Sequence, residues 1–155
     1  MKDQVIGKLK DLLRNKNQTY AREVMVSLAL KVKPEMSKKV RILDVGCGFG
    51  TDLVAVSKIF EHTELYGIDL YEPRLERCQE RNIKIQRVDL ETETFPYENG
   101  YFDIVICNQV LEHIKNIYNV LAEIARLVRS GGYVFIGIPN LASWHNRLAL
   151  SLIHI

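Results

Sequence analysis

The sequence is poor in cysteine, proline and net charge, and each shortage removes a class of protein. Three cysteines, Cys47, Cys78 and Cys107, are scattered and odd in number. They make no CxxC pair for zinc and no secreted disulfide framework, so free thiols in a reducing compartment are expected. The four prolines are dispersed, and no low-complexity segment or internal repeat is visible. A net charge of +2 over 155 residues lacks the basic field of a general nucleic-acid binder, so no nucleic-acid partner is expected. The charged N-terminus MKDQVIGKLKDLLRNKNQTY lacks the apolar run of a signal peptide, and no stretch reaches membrane-spanning length. A cytoplasmic protein with no membrane partner is the expectation.

The remainder is ordinary for a soluble domain: 47% apolar and 26% charged residues, in a length that suits one core. Val5, Ile6, Leu9, Leu12 and Leu13 recur at helical spacing, and a second helical run extends from Thr19 to about Val32, before Pro34. From Lys39 the pattern changes to short apolar runs alternating with longer amphipathic ones. Strands are expected at Val40–Val45, Glu64–Asp69, Ile83–Val88, Phe102–Cys107 and Tyr133–Ile138. Helices are expected at Asp52–Phe60, Pro73–Arg81 and Ile114–Val128, the last closed by Ser130, Gly131 and Gly132. This alternation predicts an α/β fold, a doubly wound, mostly parallel Rossmann-like sheet with ligands beyond the carboxyl ends of its strands.

The sharpest motif is LDVGCGFG, Leu43 to Gly50, between a predicted strand and a predicted helix. Glycines there permit a tight turn and close approach of a ligand to the backbone. The spacing is GxGxG rather than the GxGxxG of dinucleotide binders, since Thr51 falls where the third glycine would stand. Taken alone, the turn also reads as a plain strand-to-helix connection. Asp44, Asp69 and Asp89 end successive predicted strands, and burying three carboxylates together is costly without donors. A ligand bearing an amino group, ribose hydroxyls and an adenine amine offsets that cost. The alternative is three solvated carboxylates capping the following helices.

LDVGCGFG, the ID pair at Asp69, VDL at Asp89, FDIVICNQVLEHI and LVRSGGYVFIGIPN together resemble the class I S-adenosylmethionine-dependent methyltransferases, in order from about Val40 to Asn140. The resemblance implies a seven-stranded sheet whose last two strands are lacking here. It implies S-adenosyl-L-methionine as cofactor and a small-molecule methyl acceptor, attacked at O, N or C. Carried over by position, Asp44, Gly46, Cys47, Gly48 and Gly50 would hold the methionine part of the cofactor. Asp69 would bind the ribose hydroxyls, with Leu70 packing on adenine. Asp89 and Leu90 would read the adenine edge, and Asn108 and Gln109 would face the sulfonium and methyl.

His113 is the candidate general base, although the Glu112–His113 pair of such proteins is commonly structural. Some relatives bind a metal through ExxEH. Gln109 replaces the first acid here, so no metal is expected. Cys47 reads as a small turn residue, reactive only if the helix N-terminus lowers its pKa. Tyr20 and Arg22 belong to a helix expected to cover the cofactor, or merely to pack. Trp144, His145, Asn146 and Arg147 are candidates to face substrate. The organisation expected is a helical cap at residues 1–36, an incomplete cofactor-binding domain at 37–149 and a non-native tail at 150–155. The closing LSLIHI matches one reading frame of a common transposon-derived library end, so the natural sequence is expected to end near Ala149 here. The rival readings are a non-catalytic S-adenosylmethionine-binding partner subunit, or aminopropyl transfer, which the lack of an acid after the fourth strand disfavours.

Overall fold

A computed structural model describes residues 21–36, 39–71 and 77–139. Among the described residues five strands, β1 (Lys39–Val45), β2 (His62–Asp69), β3 (Lys84–Arg87), β4 (Phe102–Asn108) and β5 (Val128–Gly137), form one sheet. Their order is β3-β2-β1-β4-β5, and every pairing is parallel. Helix α1 runs over residues 21–32. It is followed in the chain by α2 (Thr51–Ser57) and α3 (Ile117–Leu127). No helix among the described residues is long and apolar enough to cross a membrane.

The near-continuous apolar runs of β1 and β4 follow from burial on both faces of the sheet. Period-two alternation sends Leu43, Val45, Val105 and Cys107 into one core, which α3 closes with Val120, Ile124 and Leu127. The other face takes Val40, Ile42, Ile104 and Ile106. Leu53 and Val56 of α2, with Met25 and Ala29 of α1, cover it. Two helical layers around one parallel sheet make this a doubly wound α/β fold, as the alternation in the sequence predicts.

Three expectations are corrected. Ser130, Gly131 and Gly132 do not close a helix. α3 ends at Leu127, and the chain passes at once into β5. Phe102 pairs with Val128 whereas Ile104 pairs with Tyr133, so residues 129–132 bulge out of register. The polar SGG segment therefore sits inside a strand. The helix predicted from Ile114 instead begins at Ile117, capped by the Asn116 side chain accepting from Asn119 N (3.3 Å). Leu111–His113 forms a separate 3-10 turn. α2 also stops short of the predicted Phe60. The first predicted helix, Tyr20, Pro73, Trp144, His145, Asn146, Arg147 and residues 150–155 lie outside the described residues.

Candidate cofactor site

β1 is flanked by β2 on one side and β4 on the other, so the strand order reverses around it. In such sheets a crevice opens beyond the carboxyl ends of the strands at the reversal. The glycine turn leaves β1 at this point. Gly46 (φ 70°) and Cys47 both donate backbone N–H groups to the Ile68 carbonyl, at 2.8 and 3.1 Å. A Cβ on Gly46 would lie 2.5 Å from a methyl of Val110, so only glycine fits. Gly48 (φ 54°) has nothing within 4 Å of where its Cβ would be. One glycine closes the turn and the other leaves its backbone open to a ligand.

The acids gather on adjacent strands. Asp69, at the end of β2 and 7% exposed, accepts from Gly48 N (2.9 Å) and Tyr71 N (3.0 Å), which ties the turn to β2. Asp44, one residue inside the end of β1, is 3% exposed. Burial, then the charges of Asp52 and Asp69, push its carboxyl well above the usual carboxylate range. Asp89 stands two residues beyond β3 and is half-buried. Its Oδ1 accepts from Glu91 N (2.9 Å), so part of this carboxylate organises its own turn. Leu70, beside Asp69, is 49% exposed, an apolar surface next to that carboxylate. The Leu90 side chain is buried in the core, so it offers the crevice no apolar surface.

On the far side of β1, Asn108 is the last residue of β4 and Gln109 follows with φ 56°. Gln109 N donates to Gly137 O (2.7 Å), holding the ends of β4 and β5 together. Asn108 Nδ2 donates to Asp52 Oδ2 (2.8 Å). Cys47 is buried, and burial, with Asp44 adding to the effect, raises its thiol far above its ordinary value, so it does not present a thiolate. His113 is exposed on the 3-10 turn after β4, with its backbone N–H on Val110 O (2.9 Å).

Asp52 and its partner Arg22 were not singled out together by sequence reasoning. Arg22 Nε donates to Asp52 Oδ1 (2.7 Å), and one of its Nη atoms to Thr51 Oγ1 (3.2 Å). The available signal was an acid directly behind the glycine turn, which also reads as an ordinary first-turn helix charge. A hollow of about 410 Å³ lined by Thr94, Pro96, Tyr97, Tyr101 and Arg126 lies elsewhere, at the amino-terminal end of β4. The Arg126 guanidinium is fully engaged with Glu123, Asn99 and the Phe95 and Tyr97 carbonyls, so it offers no free cation.

The family model described as a methyltransferase domain matches residues 43–136, from the glycine turn to the end of β5. The chain belongs to the S-adenosylmethionine-dependent methyltransferases. This methyltransferase domain is 34% identical over 112 residues to the ubiquinone biosynthesis O-methyltransferase of Yersinia pestis, covering 67% of the chain and 45% of that relative. The chain spans less than half the length of the curated relatives it matches. Its fold is similar to a putative S-adenosyl-L-methionine-dependent methyltransferase of Methanococcus maripaludis (TM-score 0.64, 16% identity, 96% of this chain and 70% of that one). It is also similar to the trans-methyltransferase CalH, solved with SAH (TM-score 0.57, 18% identity, 74% and 35%). The cofactor of the family is S-adenosylmethionine.

Proposed function

We propose that this methyltransferase domain binds S-adenosylmethionine at the carboxyl edge of β1–β4. We further propose that it transfers the methyl group to oxygen, nitrogen or carbon of a small acceptor. When bound, S-adenosylmethionine supplies a methyl group on a sulfonium, and displacement is in line, so alignment and exclusion of water do most of the work. Asp44 and the turn Gly46–Gly50 receive the methionine part, Asp69 the ribose hydroxyls, and Asp89 with the Leu90 backbone the adenine. Asn108 and Gln109 border the reacting end. The observation that supports this reading is geometric: Asp44 is buried at the end of β1, and the glycine turn that follows is tied to Asp69 while its Gly48 backbone is open. The likeness to O-methyltransferases puts hydroxyl compounds first in an acceptor screen.

Calorimetric titration of S-adenosylhomocysteine tests the site, beside Asp69→Ala and an NADH titration. Saturable binding lost in the variant, with no response to NADH, is expected. A folded chain that takes up no S-adenosylhomocysteine would remove the reading. His113 is the residue to test as general base: His113→Ala lowers kcat and leaves S-adenosylhomocysteine affinity unchanged if it takes a proton from the acceptor.

A further inference from the structure

Asp52 sits where three elements meet. It is the second residue of α2, one of its oxygens holds Arg22 of α1, and the other holds Asn108 at the end of β4. A carboxylate only accepts hydrogen bonds, so the Asn108 carboxamide must turn its NH2 toward Asp52. Its Oδ1 is thereby fixed on the opposite side, lying so close over Gly137 that a Cβ there would be 2.0 Å away. The same point is 2.8 Å from Met25 Cε of α1. This oxygen is buried and has no hydrogen-bond partner among the described residues. A buried acceptor without a donor is rare and costly. It is unpaired because Asp52 dictates the orientation of the amide, at the strand end beside the glycine turn.

We propose that Asp52 is a positioning residue. It fastens α1 to the sheet through Arg22 and fixes the Asn108 carboxamide so that Oδ1 receives an N–H or O–H donor of the bound ligand. The proposal rests on the methyltransferase reading for the identity of that ligand, but the fastening of α1 does not. Asp52→Asn makes the logic visible. Arg22 only donates, so the new carboxamide at position 52 must give Arg22 its carbonyl oxygen and turn its NH2 toward Asn108. Asn108 must then invert, which puts an NH2 where the acceptor had been. In the exchange variant Asp52→Asn with Asn108→Asp, the relocated carboxylate accepts from the position-52 amide with one oxygen and presents the other as an acceptor again.

The test uses the full chain, with hydrogen exchange in the ligand-free state and calorimetry with S-adenosylhomocysteine. Asp52→Asn is expected to raise amide exchange across residues 21–32, since α1 loses its ion pair. It is expected to weaken S-adenosylhomocysteine binding about 10- to 100-fold, the usual range for a hydrogen bond involving a charged group. The exchange variant recovers most of that affinity while α1 stays loose, a separation that a purely structural role does not produce. Unchanged exchange in both Asp52→Asn and Arg22→Ala, the second of which leaves α1 no ion pair with Asp52, overturns the fastening of α1. An exchange variant that binds no better than Asp52→Asn overturns the orientation of Asn108. If the wild-type chain takes up no S-adenosylhomocysteine, the ligand half and the functional reading fall together, and exchange alone decides the fastening.

Discussion

The two ends of the sheet solve opposite problems. At the amino-terminal edge, charges are paired and rings are packed. Glu64 binds Lys39, Lys84 (2.9 Å) and the Tyr66 hydroxyl (2.7 Å), and Arg41 lies 4.4 Å over the Tyr101 ring. Phe102, fully buried, meets Tyr66, Tyr97 and Tyr101 edge-on with centroids 5.0–5.2 Å apart. At the carboxyl edge, acids stand beside acids, the backbone visits positive φ at Gly46, Gly48, Gly50 and Gln109, and Asn108 Oδ1 has no donor among the described residues. One edge is built for stability. The other keeps a buried carboxyl pushed up by its acidic neighbours, left-handed backbone at a non-glycine residue and an acceptor without a donor among the described residues, which a core would not retain.

The largest effect should come from breaking the stable edge. Phe102→Ala removes the ring at the centre of the aromatic group and should cost about 3–5 kcal/mol in denaturant unfolding, as large core truncations do. Gly46→Ala attacks the other edge. It places a methyl against Val110 in left-handed backbone and should cost about 2–4 kcal/mol, together with S-adenosylhomocysteine binding. Asp44→Asn sharpens the contrast because its two effects have opposite signs. The neutral amide should raise the Tm of the ligand-free chain by a few degrees and weaken binding of the cationic cofactor. A fall in Tm would mean that the Asp44 charge is already compensated within the chain.

The smallest effect is the most discriminating. Its partners, Lys39 foremost, hold the Glu64 carboxyl down at about 2, against an ordinary value of 4.5. Its contribution is complete above pH 4.5 and is lost as pH falls toward 2. Glu64→Gln should cost less than about 1 kcal/mol at pH 7, since the network is near the surface. Asp44 runs the other way. Its raised value means that its contribution is complete below its ordinary 3.8 and is lost as pH climbs through the raised value. Unfolding of both variants over a pH series should therefore flatten opposite limbs of the stability profile.

The strands, the all-parallel sheet and the glycine turn were legible because each is written locally, in apolar runs and closely spaced glycines. Asp69 was legible as the last residue of a strand. Two features were not. The bulge at residues 129–132 was hidden because Ser-Gly-Gly after an amphipathic helix has the same composition as a helix stop. Only pairing with β4 shows that the chain has already become a strand. The Arg22–Asp52–Asn108 connection joins residues 30 and 56 positions apart: the sequence suggested Asn108 near the sulfonium and Arg22 on a covering or packing helix, but nothing in it linked either to Asp52. Asp89 shows the converse, since regular placement in sequence did not reveal that one of its oxygens serves its own turn.

The central place of β1 also bears on synthesis. Of the five strands among the described residues, β1 is the first to leave the ribosome and the middle one in the sheet they form. A nascent chain that has released β1, β2 and β3 already owns the glycine turn, Asp44 and Asp69, yet one flank of β1 is bare. Val110, which closes against Gly46, has not yet been made. If the cofactor binds where proposed, it has no finished pocket to stabilise until β4 slots in beside β1, and it favours folding only after that step.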